Sequence, residues 1–199
     1  MESLQTLAEV QKTVWQMLFR GAVQKKDPLH TATIGTVKNG VAQMRTVVLR
    51  KTNTVERQLY FYTDIRSAKV LELADTSTLS WLFYHPKKNV QIRAVGQVVF
   101  HHQNDIALEK WRSIPSYGRK TYGTRRAPGT VVDESTDDLP SLWQTNSIDL
   151  SDTEYAYEHF AVGLCTIDYF EWLHLQRAGH RRAEFAYVES RWEGTWLVP

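Results

Sequence analysis

The sequence predicts a mainly β fold, an antiparallel barrel with flanking helices. Three observations carry this. Short runs rich in Thr, Val, Ile and aromatic residues recur from residue 29 to the C-terminus. Turn signals separate them, Asn39-Gly40 being the sharpest. Stretches with helical periodicity are few and short. The chain has 199 residues, 42% of them hydrophobic and 23% charged, which is ordinary globular composition and excludes a largely disordered chain. A chain of this length buries roughly 70% of its unfolded surface, enough for a single domain spanning 1–199. Lys and Arg number 24 against 22 Asp and Glu, a net charge of +2. That balance marks neither a nucleic-acid nor a membrane surface.

The elements follow in order. Leu4, Leu7, Val10, Val14, Met17 and Leu18 recur at helical spacing and predict an amphipathic helix over 3–20, with Gly21 helping to end it. Asp27-Pro28 marks the exit. Strands are expected at 29–37 and 41–51, joined by Asn39-Gly40, then at 58–63. A short helix is expected at 67–74, strands at 78–84 and 90–100, and a helix from 105 to 112. Residues 115–150 are rich in Pro, Gly, Ser, Thr and Asp and predict a long irregular excursion; loops of that length are commonly functional or mobile. Strand patterns return at 160–175, 183–188 and 195–198.

Several chemistries are excluded. No G-x-G-x-x-G or Walker A loop is present, so the usual dinucleotide and P-loop sites are absent. G-x-S-x-G and H-E-x-x-H are absent too. His101 and His102 are adjacent on a strand and point to opposite faces, which does not suit one metal; no metal site is expected. Cys165, the one cysteine, lies in an apolar strand pattern and reads as a buried thiol. A single thiol excludes an intramolecular disulfide and fits a reducing compartment. The charged first dozen residues hold no apolar run of a secretory leader. The expectation is a cytoplasmic protein without a membrane span.

Three segments carry candidate chemistry. Tyr62, Thr63, Arg66, Ser67 and Lys69 sit where a strand passes into a helix start. Hydroxyls, cations and free helical N–H groups together suit a phosphate; an ordinary helix cap with solvated cations would show the same residues. Arg45 to Arg50 form a strand with a cation at each end, on opposite faces unless a bulge intervenes. Gln91 and Arg93 share a strand face, and the Gln91 amide can both donate to and accept from a heteroaromatic edge.

These segments, in this order and at these intervals, resemble the pyridoxamine 5′-phosphate oxidase-like family of FMN-binding split barrels. Phe170-Glu171-Trp172, His180-Arg181-Arg182 and the ending Trp196-Leu197-Val198-Pro199 are similar to its C-terminal pattern. The resemblance covers about 29–114 and 160–199. It implies an antiparallel FMN-binding split barrel and FMN as cofactor. Arg45, Thr46, Val47, Val48 and Arg50 would line the ribityl chain and ring edge. Tyr62 and Thr63 would flank the cofactor, with Lys69, Ser67 and Arg66 near the phosphate, and Gln91 would bond the ring. Trp172 and Arg182 would come from the partner subunit of a homodimer.

The departures are equally specific. Ala68 stands where the family has a second phosphate-site Arg, and Arg66 is the available substitute. Arg50 replaces a Lys. Ile114, Gly118 and Ala178 replace the Arg, Ser and Arg that hold the substrate phosphate in the family. The implied function is an FMN-dependent oxidoreductase acting on a small molecule, its substrate pocket altered relative to the true oxidases. His180 and Arg182 are the candidate catalytic residues. The alternatives are a non-catalytic flavin carrier or redox sensor, and a split barrel holding another cofactor such as haem.

Overall fold

The structure, a computed structural model, describes residues 6–74, 76–144 and 148–199. The chain divides into two compact units. Unit 1 comprises Met1–Phe61, Thr76–Val98 and Leu164–Pro199; unit 2 comprises Tyr62–Asp75 and Val99–Gly163.

Unit 1 opens with helix α1, Leu7–Val23. Its start is fixed by a reciprocal cap: Glu9 N donates to Thr6 Oγ1 at 3.2 Å and Thr6 N to Glu9 Oε2 at 2.9 Å, which satisfies two otherwise orphaned donors. The first three residues of the expected helix, 3–5, lie outside the described residues. At the other end Gly21 does not stop the helix. A Cβ there would lie 2.8 Å from Leu29, so this glycine serves close packing, and its carbonyl meets His30 Nδ1 at 2.8 Å. α1 buries Val10, Val14, Trp15, Met17 and Leu18.

The strands are β1 Thr31–Lys38, β2 Val41–Val48, β3 Lys51–Asn53, β4 Gln58–Asp64, β5 Thr78–His85, β6 Val90–His102, β7 Phe160–His174, β8 Arg181–Val188 and β9 Arg191–Leu197. Their order is β2-β1-β5-β6-β7-β4-β3, with β8 pairing β7 and β9. The described registers are antiparallel. Asn39 and Gly40 turn the β1–β2 hairpin, both at positive φ, as this two-residue turn requires. The expected single run 41–51 is two strands: Leu49 N donates to His30 O and Arg50 N to Tyr60 O, both at 2.8 Å. The chain therefore leaves the β1 edge after Val48 and joins β4 as β3. The interior holds Phe61 edge-on to Trp81, and Phe170 stacked on Phe185 with centroids 4.6 Å apart. Cys165 is fully buried, and burial pushes its thiol up to about 12. A Cβ on Gly96 would come within 2.1 Å of Thr166 O; β6 and β7 meet there backbone to backbone.

Unit 2 contains α2 Ala68–Glu72, α3 Asp105–Arg112 and α4 Ser116–Arg119, with 3₁₀ turns at Lys120–Tyr122, Ser141–Gln144 and Ser151–His159. Asn104 caps α3, its side chain accepting from Ala107 N at 3.0 Å. Trp111, Tyr122 and Phe160 form an aromatic core with centroid separations of 5.0–6.0 Å. The excursion expected at 115–150 has the short irregular elements its composition implies, yet it is firmly pinned. Arg119 is 3% exposed and donates to Ile114 O, Trp111 O, Thr153 Oγ1 and Glu154 Oε1. No helix among the described residues is long and apolar enough to cross a membrane.

Candidate functional site

In unit 2 the passage from β4 to α2 gathers one ammonium and two hydroxyls. Lys69 Nζ donates to Thr63 Oγ1 at 2.9 Å and to Ser67 Oγ at 3.0 Å, and the two hydroxyls are 3.2 Å apart. Thr63 and Ser67 are each 5% exposed. The local sequence explains the arrangement. Ser67 stands at the helix start but its hydroxyl does not cap α2; it turns back to Asp64 O at 2.7 Å. That places Ser67 beside Thr63 rather than over the helical N–H groups. The cluster is cationic and rich in donors, which suits a phosphate or another oxyanion.

Arg66 has a different task. Its guanidinium pairs with Asp64 at 2.7 Å and 3.0 Å and also donates to Thr124 O, Thr124 Oγ1 and Arg125 O. Asp64 is 6% exposed, so Arg66 neutralises a buried carboxylate and ties down the excursion. Tyr62 packs edge-on to Phe160, centroids 5.1 Å apart, within the aromatic core of unit 2.

In unit 1 a groove of about 580 Å³ runs along one face of β2, β1, β5 and β6. Gly35, Ala42, Met44, Ser80, Leu82, Gln91 and Arg93 are among its walls. Small residues on β1 and β5 leave a shallow, largely apolar surface, with the Gln91 amide and the Arg93 guanidinium at one side. Arg45 lies on β2 facing Thr36, to whose hydroxyl it donates; it also donates to Gln43 O at 3.0 Å. Thr46 is exposed, Val47 buried and Val48 half-buried. Arg50 is exposed beyond the strand break, so the irregularity needed to relate Arg45 and Arg50 is present.

Trp172 and Arg182 do not share a face. Directly opposed residues of an antiparallel pair point the same way. The register pairs Trp172 with Ala183 and Leu173 with Arg182. Trp172 is 1% exposed, inside the core, and its indole nitrogen has no partner. Arg182 points outward, and its Nη2 donates to Glu171 at 2.7 Å. His180 is exposed in the β7–β8 turn, where its Nδ1 accepts from Gln176 N at 3.1 Å. Sequence reading missed Glu171, a carboxylate 4% exposed. Its signal was an acidic residue between two aromatics, Phe170 and Trp172.

The departures at 114 and 118 form one packing solution. A Cβ on Gly118 would lie 2.9 Å from Ile114 Cγ2, so the branched side chain at 114 packs where a residue larger than glycine at 118 would crowd it. Three cations of the excursion are also committed: Arg119 to Glu154, Lys120 to Trp143 O, and Arg126 to Asp138. His101 Nδ1 faces Asn104, and His102 Nε2 faces Glu158 O.

Residues 12–102 match the family model of the pyridoxamine 5′-phosphate oxidase FMN-binding domain. This segment belongs to that family. It includes Arg45–Arg50, Thr63, Ser67, Lys69 and Gln91. The fold is that of the family's split barrels. A pyridoxamine 5′-phosphate oxidase-related, FMN-binding protein from Nostoc punctiforme superimposes with a TM-score of 0.76 at 20% identity, covering 98% of this chain and 100% of that one. PhzG from Burkholderia lata, solved with tetrahydrophenazine-1-carboxylic acid, gives 0.68 at 16% identity, covering 94% and 92%. A general stress protein 26-related structure from Clostridium acetobutylicum gives 0.52 at 10% identity, covering 92% and 95%. No curated protein matches this sequence. Residues 114, 118 and 178 lie beyond the matched segment.

Proposed function

We propose that this protein binds FMN and acts as an oxidoreductase of the pyridoxamine 5′-phosphate oxidase-like class, with a substrate pocket altered relative to the true oxidases. The observation that carries the reading is the Lys69–Thr63–Ser67 cluster. The fit to FMN is good on two counts. One ammonium and two nearly buried hydroxyls suit a terminal phosphate, and a flat groove carrying a Gln amide suits a ring system with donor and acceptor edges. Lys69, Ser67 and Thr63 would hold the phosphate, and Gln91 the ring. Bound FMN supplies hydride or electron transfer. The chain's own residues bind and orient it, and His180, exposed two residues before Arg182, is the candidate proton carrier.

The altered pocket is supported by the Ile114–Gly118 packing and by the commitment of Arg119, Lys120 and Arg126 to protein partners. A homodimer is part of the proposal. Val37, Val41 and Met44 on the β1–β2 hairpin are 58%, 60% and 65% exposed, an apolar surface beside the groove that a second copy would cover. A cytoplasmic setting fits the single, buried thiol.

The test is the visible spectrum of purified protein with chromatography of the released cofactor. FMN bands support the reading. A Soret band, or no bound chromophore after FMN titration, overturns it. Flavin reduction under a panel of amines and reduced pyridine nucleotides then separates an enzyme from a carrier or sensor.

A further inference from the structure

Three charged side chains from three strands meet on one face of unit 1. Glu171 of β7 is 4% exposed. Its Oε2 accepts from Arg182 Nη2 of β8 at 2.7 Å, while Arg93 Nη1 of β6 stands 3.6 Å from the same oxygen. One carboxylate thus faces two guanidiniums, and it serves them unequally. The hydrogen bond goes to Arg182, and Arg93 is held only by charge. Arg93 is 55% exposed and makes no other ion pair among the described residues. On β8, Glu184 lies opposite Glu171 and accepts from the Tyr169 hydroxyl at 3.0 Å, so a second carboxylate stands beside Arg182.

Arg93 is also a wall of the groove, paired in register with Leu82 of β5 and two residues from Gln91. The groove therefore offers an apolar floor ending at a half-exposed guanidinium fork that makes no hydrogen bond to Glu171. Such a fork matches the two oxygens of a carboxylate. A phosphate dianion suits it less, because Glu171 lies directly behind and repels the second charge.

We propose that Arg93 anchors the carboxylate of a small, planar, monoanionic substrate in this groove, with Glu171 as the positioning residue that fixes the arginine pair. The inference rests on the flavin reading for what happens to that substrate, but the anion site itself belongs to the apoprotein. The probes are benzoate and its neutral isostere benzamide, titrated into protein with and without FMN by calorimetry and by the flavin absorbance change. Benzoate is expected to bind at least tenfold more tightly than benzamide, and more weakly as salt rises. Arg93→Met should weaken benzoate about 10- to 100-fold while leaving benzamide unchanged. Arg93→Lys, which keeps the charge and removes the fork, should recover only part of that loss. Melting curves establish that each variant is folded. Equal affinity for benzoate and benzamide, or benzoate binding that Arg93→Met leaves intact, overturns the proposal. Selective benzoate binding to a protein that takes up no FMN would retain the anion site and defeat the flavin reading alone.

Discussion

The Arg119 guanidinium lies over the Trp111 ring, 4.4 Å from its centroid, and also donates to the Trp111 carbonyl at 3.1 Å. The same guanidinium pairs with Glu154 at 2.6 Å. One buried side chain therefore ties the end of α3 to the 3₁₀ turn at 151–159. Arg119→Met keeps the stem but removes the donors to two carbonyls, the Thr153 hydroxyl and Glu154. The expected cost is about 2–4 kcal/mol. Urea unfolding followed by tryptophan fluorescence checks it, and a change below about 0.5 kcal/mol would show that the network is ornamental.

Lys69→Ala removes the ammonium from between Thr63 and Ser67. If the cluster holds the FMN phosphate, affinity should fall by about 1.5–3 kcal/mol, roughly 10- to 150-fold. Fluorescence titration of apoprotein with FMN measures it. Riboflavin, which lacks the phosphate, should bind wild type and variant alike.

Gly96→Ala puts a methyl group into the Thr166 backbone. Because the obstacle is main chain, no side-chain rotation relieves it. A destabilisation of about 3 kcal/mol or more is expected, at the upper end for overpacking. Circular dichroism melting decides the matter, with Gly35→Ala as control, since a Cβ there meets only Ser80 Cβ at 3.7 Å.

Acid sensitivity should appear before the carboxylates titrate. His85 is 7% exposed with Nδ1 unpartnered, and burial, then Lys88, lower its pKa. Burial, then Arg181, lower that of His174 as well. In both cases the unfolded chain takes a proton at about pH 6.5 that the folded chain resists. Stability is therefore full above that pH and declines as pH falls toward the depressed folded values. Urea midpoints at pH 7.5 and 5.0 should differ in that direction, and His85→Phe with His174→Phe should flatten the difference.

Cys165 should be inert. A fully buried thiol pushed up to about 12 presents almost no thiolate at neutral pH. Iodoacetamide at pH 8 should leave native protein unlabelled over hours and label it quickly in urea. Rapid native labelling, read by mass spectrometry, would contradict this burial.

Most strands were legible because alternation and turn residues are local properties. The Asn39-Gly40 hairpin needs nothing beyond its own residues. The break after Val48 was not legible, because it depends on His30 and Tyr60 offering carbonyls from elsewhere in the chain. Gly21 misled for a related reason: a glycine used for close approach to Leu29 looks in sequence like a helix terminator. At the site, Thr63, Ser67 and Lys69 lie within seven residues and could be gathered by eye. Facing was harder. Whether Trp172 points with Arg182 depends on the register across the β7–β8 turn, and a turn of uncertain length hides it. Glu171 and Arg93 become a pair only when β6 and β7 lie side by side.

Unit 1 is assembled from three separated stretches of chain, and Arg57 Nη1 reaches Ile167 O across 110 residues of sequence. During synthesis this has an order to it. The ribosome delivers the β1–β2 and β5–β6 hairpins early, but β7, which joins β6 to β4, begins only at Phe160, well after β6 has ended at His102. Until β7 emerges, the edge of β6 and the Arg57 turn have no partner, so the nascent chain carries an open sheet while unit 2 is being made. Unit 2, drawn largely from the continuous stretch Val99–Gly163, faces no such wait. A protein built this way cannot close its barrel before β7 emerges, and until then its nascent chain presents an unpaired sheet edge open to aggregation.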